Sequence, residues 1–221
     1  MAKVTLNDVV KNEKVRAYLE GANRQLEAIG YTEHGHRHAD LTAKIARNIL
    51  LRLGYNKDEA ELAAIAGYLH DIGNVAGRTN HGQAAAILAS RILGKMGMGD
   101  KDIAIIMGAV GNHEEEIGEP PSPQAAALVI ADKSDVHRSR VRNPNIATFD
   151  IHDRVNYAAE HSFVRVDEKK KTIALELTID TKISQVMEYF EIFLSRMMIC
   201  RRAAKVLKCD FKLVINEVKL L

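Results

Sequence analysis

Residues 63–73 read AAIAGYLHDIG, and this stretch decides the fold that the sequence predicts. Small and apolar residues fill a helix predicted over residues 57–71, and Gly73 provides its end. His70 and Asp71 stand together where the apolar helix ends. An imidazole nitrogen and a carboxylate oxygen at one helix end are ligands that divalent metals accept. The dipeptide therefore indicates a metal site, and a polar helix end without a ligand is the alternative.

The segments around this helix share its character. The same helical spacing of apolar residues predicts further helices over residues 12–29, 36–53, 81–96, 100–113 and 124–140. The segment EPPSP at 119–123 interrupts the pattern, because its three prolines exclude a continuous helix. The whole chain has only 4 prolines and no tryptophan, which favours a mostly helical protein.

The pattern changes in the last quarter of the chain. FVRVDEKKKTIALELTID at 163–180 alternates at period two and predicts two strands joined by a charged turn. Residues 182–207 return to helical spacing, and 211–220 predict a last strand. The predicted fold class is mainly α, with a helical domain over residues 1–161 and a small α+β domain (ββαβ) over residues 162–221. Dimerisation surface and lid are both open interpretations of the second domain.

Composition and charge exclude several classes of protein. The 221 residues are 47% hydrophobic and 27% charged, as in ordinary globular proteins, and a net charge of +2 argues against dedicated nucleic-acid binding. Cys200 and Cys209 make no disulfide framework. The N-terminal residues are too charged for a signal peptide, and no apolar run approaches the roughly 20 residues of a membrane span. We therefore expect a cytoplasmic protein that does not bind membranes.

Four histidines and two aspartates lie where an apolar helix face meets a helix end or a polar break. A charge in such a place is costly unless it is paired or bound to a metal, so packing alone explains the set poorly. The six residues are His38, His70, Asp71, His81, His113 and Asp132.

This set resembles the pattern H…HD…D of the HD-domain superfamily of metal-dependent phosphohydrolases. The pattern is carried by His38, His70-Asp71 and Asp132, and the HDIG form of the central motif is intact. The resemblance covers about residues 34–142. It implies that these four residues bind a divalent ion, with Mn, Fe, Co, Zn, Ni and Mg not distinguished. It also implies that His70, Asp71 and Asp132 are the catalytic residues.

The number of metal ions depends on two further histidines. Superfamily members with two metals add histidines between the HD pair and the last aspartate, and His81 and His113 occupy that interval. The resemblance therefore implies one or two ions, and we expect two. The alternative makes His81 an ordinary first helical residue and His113 a partner of a helix C-terminus.

Basic residues near the motif are candidates for binding substrate phosphate. Many relatives carry lysine directly after HDIG, where this chain has Asn74, and Arg78 is a possible substitute. Lys133, Arg138 and Arg142 follow the last predicted ligand. A helix through this segment places the two arginines on one side, where their guanidinium groups can donate to phosphate. A solvated helix face is the alternative interpretation.

The function implied by the resemblance is hydrolysis of a phosphate ester or anhydride by metal-activated hydroxide, as in a phosphatase or phosphodiesterase. The expected partner is a small phosphorylated, nucleotide-like substrate, and a homodimer is possible. Two alternatives stay open: a diiron oxygenase with the same fold, and a non-catalytic module that senses a nucleotide.

Three other groups are interpreted as lying outside the site. His34 is not expected to bind metal. The acidic run that begins at Glu114 is interpreted as a solvated loop, although one of its carboxylates could orient an imidazole. Arg196 belongs to the basic side of the last predicted helix, which we expect to face solvent.

Overall fold

The computed structural model describes residues 3–115 and 117–220. Its helices are α1 (Leu6–Lys11), α2 (Glu13–Ala28), α3 (His36–Arg52), α4 (Lys57–Leu69), α5 (His81–Lys95), α6 (Asp100–Gly111), α7 (Pro123–Lys133), α8 (Ile151–Ala158) and α9 (Val186–Val206). Its strands are β1 (Ala159–Asp167), β2 (Thr172–Ile179), β3 (Asp210–Ile215) and β4 (Val218–Lys219). The predicted fold class, mainly α with a small α+β segment, is confirmed.

Helices α4 and α7 form the centre of the helical part. Every residue of α7 from Gln124 to Lys133 is buried, and α4 is buried from Leu62 to Leu69 while it packs against α3, α6 and α7. A helix that is apolar all round belongs in a protein core, and the polar residues at its end are then carried inside as well. No helix in the described part of the chain is long and apolar enough to cross a lipid bilayer.

Two glycines let neighbouring backbones approach α4 closely. A Cβ atom at Gly67 would lie 2.9 Å from the backbone of Ala43 in α3, and one at Gly73 would lie 2.0 Å from the carbonyl oxygen of His81. Real Cβ atoms do not make such contacts, so both positions require glycine in this packing. Gly73 therefore sets the start of α5, including His81, directly against the end of α4.

The C-terminal segment forms a four-stranded sheet of order β1-β2-β3-β4. Both outer pairs are antiparallel, whereas β2 and β3 are parallel and are connected through α9. Helix α9 also packs against α7, and one buried cluster unites Val129, Leu175 and Phe193 from α7, β2 and α9. The division into domains 1–161 and 162–221 stays a prediction.

Helix α7 is shorter than the predicted helix over residues 124–140, and this part of the prediction is wrong. Beyond its end, Asp135 turns inward and its carboxylate accepts a 2.8 Å hydrogen bond from Arg37. The Asp135 carboxylate is buried, and the backbone has already left the helical path at this residue. Arg138 and Arg142 consequently share no helix side.

Candidate metal centre

Helices α3 and α4 bring two buried imidazoles into contact. His38 lies in the first turn of α3, and His70 directly follows α4. Their Nε2 atoms are 3.2 Å apart, and both residues are 0% exposed. The contact follows from the close packing of α3 on α4 that Gly67 permits.

Two aspartates face this first pair of histidines. Asp132, in the last turn of α7, has its Oδ1 atom 3.3 Å from Nε2 of His38 and 3.6 Å from Nε2 of His70. The Oδ2 atom of Asp71 lies 3.7 Å and 3.3 Å from the same two nitrogens. The ends of α4 and α7 thus deliver two carboxylates to one point between two imidazoles.

A second pair of histidines lies on the other side of Asp71. His81 begins α5 and His113 follows α6, and their Nε2 atoms are 3.1 Å apart. The second carboxylate oxygen of Asp71, Oδ1, is 3.3 Å from Nε2 of His81. Asp71 therefore offers one oxygen to each pair, and all six residues predicted as metal ligands lie together.

All four imidazoles are oriented through their Nδ1 atoms. The Nδ1 distances are 2.7 Å to Oδ2 of Asp135 for His38, 2.8 Å to the Gly67 carbonyl for His70, 3.0 Å to the Arg78 carbonyl for His81 and 2.6 Å to the Val110 carbonyl for His113. Each partner atom accepts, so Nδ1 carries the proton and a neutral ring has its lone pair on Nε2. The Nε2 lone pairs and the carboxylate oxygens of Asp71 and Asp132 therefore face the same interior of the cluster.

The donor atoms of this cluster fit a bound cation. Facing lone pairs repel each other, and the Oδ2 atom of Asp71 is buried without a hydrogen-bond partner among the described residues. An unpaired buried carboxylate oxygen costs free energy, and a mixed set of imidazole nitrogens and carboxylate oxygens suits divalent first-row metals. Donor atoms within 4.8 Å of one another group as His38/His70/Asp71, His70/His113/Asp132 and Asp71/His81/His113.

The electrostatics of the cluster favour added positive charge. Burial opposes a charge on His70, but Asp71 and Asp132 together raise the pKa of its imidazole to about 10. Burial also opposes the ionised form of Asp71, yet His70 and His81 hold the pKa of that carboxyl well below its usual range. The carboxylates therefore stay ionised and attract a proton or a metal ion.

Sequence comparison with known protein families gives an independent view of this site. The family model of the HD domain matches residues 35–136, a range that contains all six clustered residues. Over residues 35–136 the chain is similar to the HD-domain family. The resemblance predicted from the motif is confirmed.

Sequence similarity extends beyond the HD domain itself. The uncharacterized protein MJ1020 of Methanocaldococcus jannaschii is 28% identical over 210 residues, which covers 84% of this chain and 81% of that protein. Among solved structures, the predicted HD superfamily hydrolase from an uncultured Thermotogales bacterium is 21% identical and has a TM-score of 0.46. That match covers 61% of this chain and 75% of the other.

Two acidic residues hold the histidines of the HD domain from outside. Oδ2 of Asp135 accepts from Nδ1 of His38. Glu114 is buried, contrary to its interpretation as part of a solvated loop, and its Oε2 atom is 3.1 Å from Nδ1 of His81. Carboxylates behind a metal-binding imidazole fix its tautomer and raise its basicity. The contact matches the alternative interpretation of this acidic run, in which one carboxylate orients an imidazole, and the structure identifies that imidazole as His81.

Lys133 is engaged by carboxylates of the HD domain. Its Nζ atom lies 2.7 Å from Oδ2 of Asp132 and 2.5 Å from Oε2 of Glu115. Burial opposes the ionisation of Glu115, but Lys133 and Arg196 lower the pKa of its carboxyl to about 2. Lys133 therefore orients Asp132 and compensates its charge, and its predicted contact with phosphate stays a prediction.

The three arginines predicted to bind phosphate lie in different places. Arg78 is at the cluster, with Nη1 3.3 Å from Nε2 of His81. Arg138 instead forms a 2.9 Å ion pair with Glu160, and Arg142 forms a 3.0 Å pair with Glu27. The structure therefore brings Arg78, but neither of the other two, to the metal centre.

A narrow cavity opens onto the clustered ligands and has a cationic lining. Besides ligands, it is lined by His34, Arg78, Lys133, Arg140 and Arg196. Arg196 belongs to α9 in the C-terminal segment. From the sequence we expected it to face solvent, whereas it lines this cavity. The packing of α9 on α7 carries Arg196 there, and periodicity within α9 contains no sign of it.

Proposed function

We propose that this chain is a metal-dependent phosphohydrolase that cleaves a phosphate ester or anhydride of a nucleotide or similar small molecule. The observation that carries the proposal is that the Nε2 atoms of four histidines and the carboxylates of two aspartates face one shared interior. Within it, Oδ2 of Asp71 is buried and has no hydrogen-bond partner among the described residues. The cationic lining of the cavity, with Arg78 and Arg196, supports a phosphate rather than an uncharged substrate.

The six clustered residues would hold two ions, one at each histidine pair, with Asp71 shared between them. The chemistry supplied by a bound divalent ion is activation of water at neutral pH and polarisation of a phosphoryl oxygen. The chain itself orients the ligands: Asp135 and Glu114 fix the outer nitrogens of His38 and His81, and Lys133 holds Asp132. Preset orientation lowers the cost of assembling the charged transition state.

Positive side chains in the cavity would neutralise the phosphate oxygens that face away from the ligands. Arg78 and Arg196 both stack on aromatic rings, with their guanidinium carbons 5.3 Å from the ring of Tyr31 and 4.2 Å from the ring of Phe193. Stacking restrains each guanidinium while its edge stays able to donate to an anion. We assign the predicted phosphate-binding role chiefly to these two arginines.

The test of the proposed function is metal analysis of the purified protein together with a screen of phosphatase and phosphodiesterase substrates. Metal-dependent release of phosphate or of a nucleoside product supports the proposal. Consumption of oxygen by an iron-loaded protein would favour the diiron oxygenase instead. Tight nucleotide binding by the metal-loaded protein without turnover would favour a sensing module.

We expect two metal equivalents per chain in the parent protein and about one in each of the variants His81→Ala and His113→Ala. Either substitution removes a nitrogen from one histidine pair and leaves His38, His70 and Asp132 in place. The measurement is elemental analysis after saturation and gel filtration, with His161→Ala, an exposed histidine on β1, as the matched control. One equivalent in a saturated parent, unchanged in both variants, would contradict the dinuclear centre.

Arg196→Ala is expected to raise the KM for a phosphate substrate by about tenfold to a hundredfold, because a charged hydrogen bond contributes roughly 1.5–3 kcal/mol. Metal content should not change, since Arg196 contacts Glu115 and none of the six clustered residues directly. Arg201→Ala removes an exposed arginine from the same helix and is the matched control. Equal KM values for both variants and the parent would return Arg196 to a purely structural role.

A further inference from the structure

The cavity at the metal centre adjoins a larger cleft of about 300 Å³. Four residues line both spaces and therefore form their boundary: His34, Arg78, Arg140 and Arg196. Beyond the boundary, the cleft is bordered by the segment that precedes α3, by α8 and by α9. Its volume suits a small molecule and not a polymer.

Of the arginines at this boundary, only some have hydrogen-bond donors that a ligand could use. The guanidinium of Arg140 is already engaged, because it donates to the backbone carbonyls of Glu33 and Asp135 at 2.7–3.1 Å. Arg196 uses Nε for Glu115, and its two Nη atoms have no acceptor within residues 3–115 and 117–220. Together with Arg78, it presents positive charge at the end of the cleft nearest the metal centre.

The wall formed by α8 has the opposite character. Asp150, Asp153 and Asn156 line the cleft but not the metal cavity. Asn156 is only 4% exposed; its Nδ2 atom donates to the carbonyl of His152, and its Oδ1 atom has no donor among the described residues. One oxygen of Asp150 accepts from the backbone N–H of Asp153. One oxygen of Asp153 accepts from Nδ2 of Asn143. The amide oxygen of Asn156 and two carboxylates thus offer acceptors to a ligand in the cleft.

Resting on the proposed function, we propose that the substrate is a phosphomonoester with a single phosphate, whose opposite end carries hydroxyl or amino donors, as in a sugar phosphate. The phosphate is bound at Arg78 and Arg196 beside the metal ligands. The donors are bound by Asp150, Asp153 and Asn156. A second phosphate at that end is disfavoured, because it would meet two carboxylates.

The test compares three probes: ribose 5-phosphate, butyl phosphate, which lacks hydroxyl donors, and ribose 1,5-bisphosphate, which adds a second phosphate. Dissociation constants are measured by equilibrium dialysis on chelator-treated protein, and KM values on metal-loaded protein. The variant is Asp150→Asn/Asp153→Asn, which keeps the capping geometry of α8 and removes both charges. Asp180→Asn, at another side-chain-to-backbone turn contact, is the matched control.

We expect ribose 5-phosphate to bind at least about tenfold more tightly than either other probe, since the cleft supplies charged acceptors for its donors. In the Asp150→Asn/Asp153→Asn variant, the ratio of the dissociation constant of the bisphosphate to that of ribose 5-phosphate should fall by about tenfold or more. Asp180→Asn should leave this ratio unchanged. Turnover without discrimination among the probes would overturn this inference and leave the proposed function intact. Selective binding that the double variant loses, without turnover of any phosphate ester, would support the cleft assignment and overturn the proposed function.

Discussion

Asp71→Ala is expected to abolish metal binding and hydrolysis together. Asp71 is the one residue whose two carboxylate oxygens face both histidine pairs within the described cluster, so its loss leaves both groups of donors short of a ligand. Substitutions behind a metal ligand already cost about tenfold to a hundredfold, and we expect a larger loss of activity for the ligand itself. Activity assays and elemental analysis of the same preparation measure both effects.

Thermal unfolding provides an independent readout of Asp71→Ala. A metal present at 100 times its dissociation constant stabilises a folded protein by about 2.7 kcal/mol, so divalent ions should raise the Tm of the parent and not that of the variant. Asp40→Ala, which removes a partly exposed aspartate from α3, is the control and should respond as the parent does. Full metal content and full turnover in Asp71→Ala protein would show that the HD pair is not the metal centre.

Gly73→Ala is expected to destabilise the protein by about 3 kcal/mol or more, at the upper end of the range for overpacking. The added Cβ atom would lie 2.0 Å from the carbonyl oxygen of His81 and 2.5 Å from the amide nitrogen of Ala85. Both are backbone atoms in the first turns of α5, so the relief of the clash must move that helix. Because His81 begins α5, weaker metal binding should accompany the loss of stability.

The control for Gly73→Ala is Gly94→Ala in α5, the helix that the first substitution would displace. A Cβ atom at Gly94 would meet only Cδ1 of Ile103, at 3.9 Å, and alanine favours a helix over glycine by roughly 0.5–1 kcal/mol. Urea unfolding of chelator-treated protein should therefore show a small gain for Gly94→Ala and a large loss for Gly73→Ala. A Gly73→Ala protein as stable as the parent would contradict the close approach of α5 to the HDIG motif.

The cluster of candidate ligands was predictable from the sequence because each of its residues stands at a helix end or in a first or last turn next to apolar residues. His70 follows the buried helix α4, and Asp132 lies in the last turn of the buried helix α7. A polar residue that ends an all-apolar helix is drawn into the interior with it. That local pattern identified the candidate ligands. Glycine is required at position 73 of the HDIG motif because the backbone of α5 approaches it closely.

The support around the ligands was not predictable in the same way. Asp135 was expected inside a helix, but it turns inward to Arg37 and His38. Arg138, expected to bind phosphate, pairs with Glu160, whereas Arg196, expected to face solvent, lines the metal cavity. Charged side chains on an exposed helix face and in a cleft have the same local pattern, because their partners lie far away in the sequence.

The sequence by itself determined the helical fold, the small α+β segment and the six residues of the candidate metal centre. Periodicity and helix-end residues depend on neighbours within one or two turns, and the sequence contains those neighbours directly. Only the tertiary structure decided the pairing of His38 with His70 and of His81 with His113, the orienting contacts of Asp135 and Glu114, and the entry of Arg196 from α9. Those contacts arise from helix packing, which joins residues that are 32 or more positions apart in several of these pairs and leaves no local pattern in the chain.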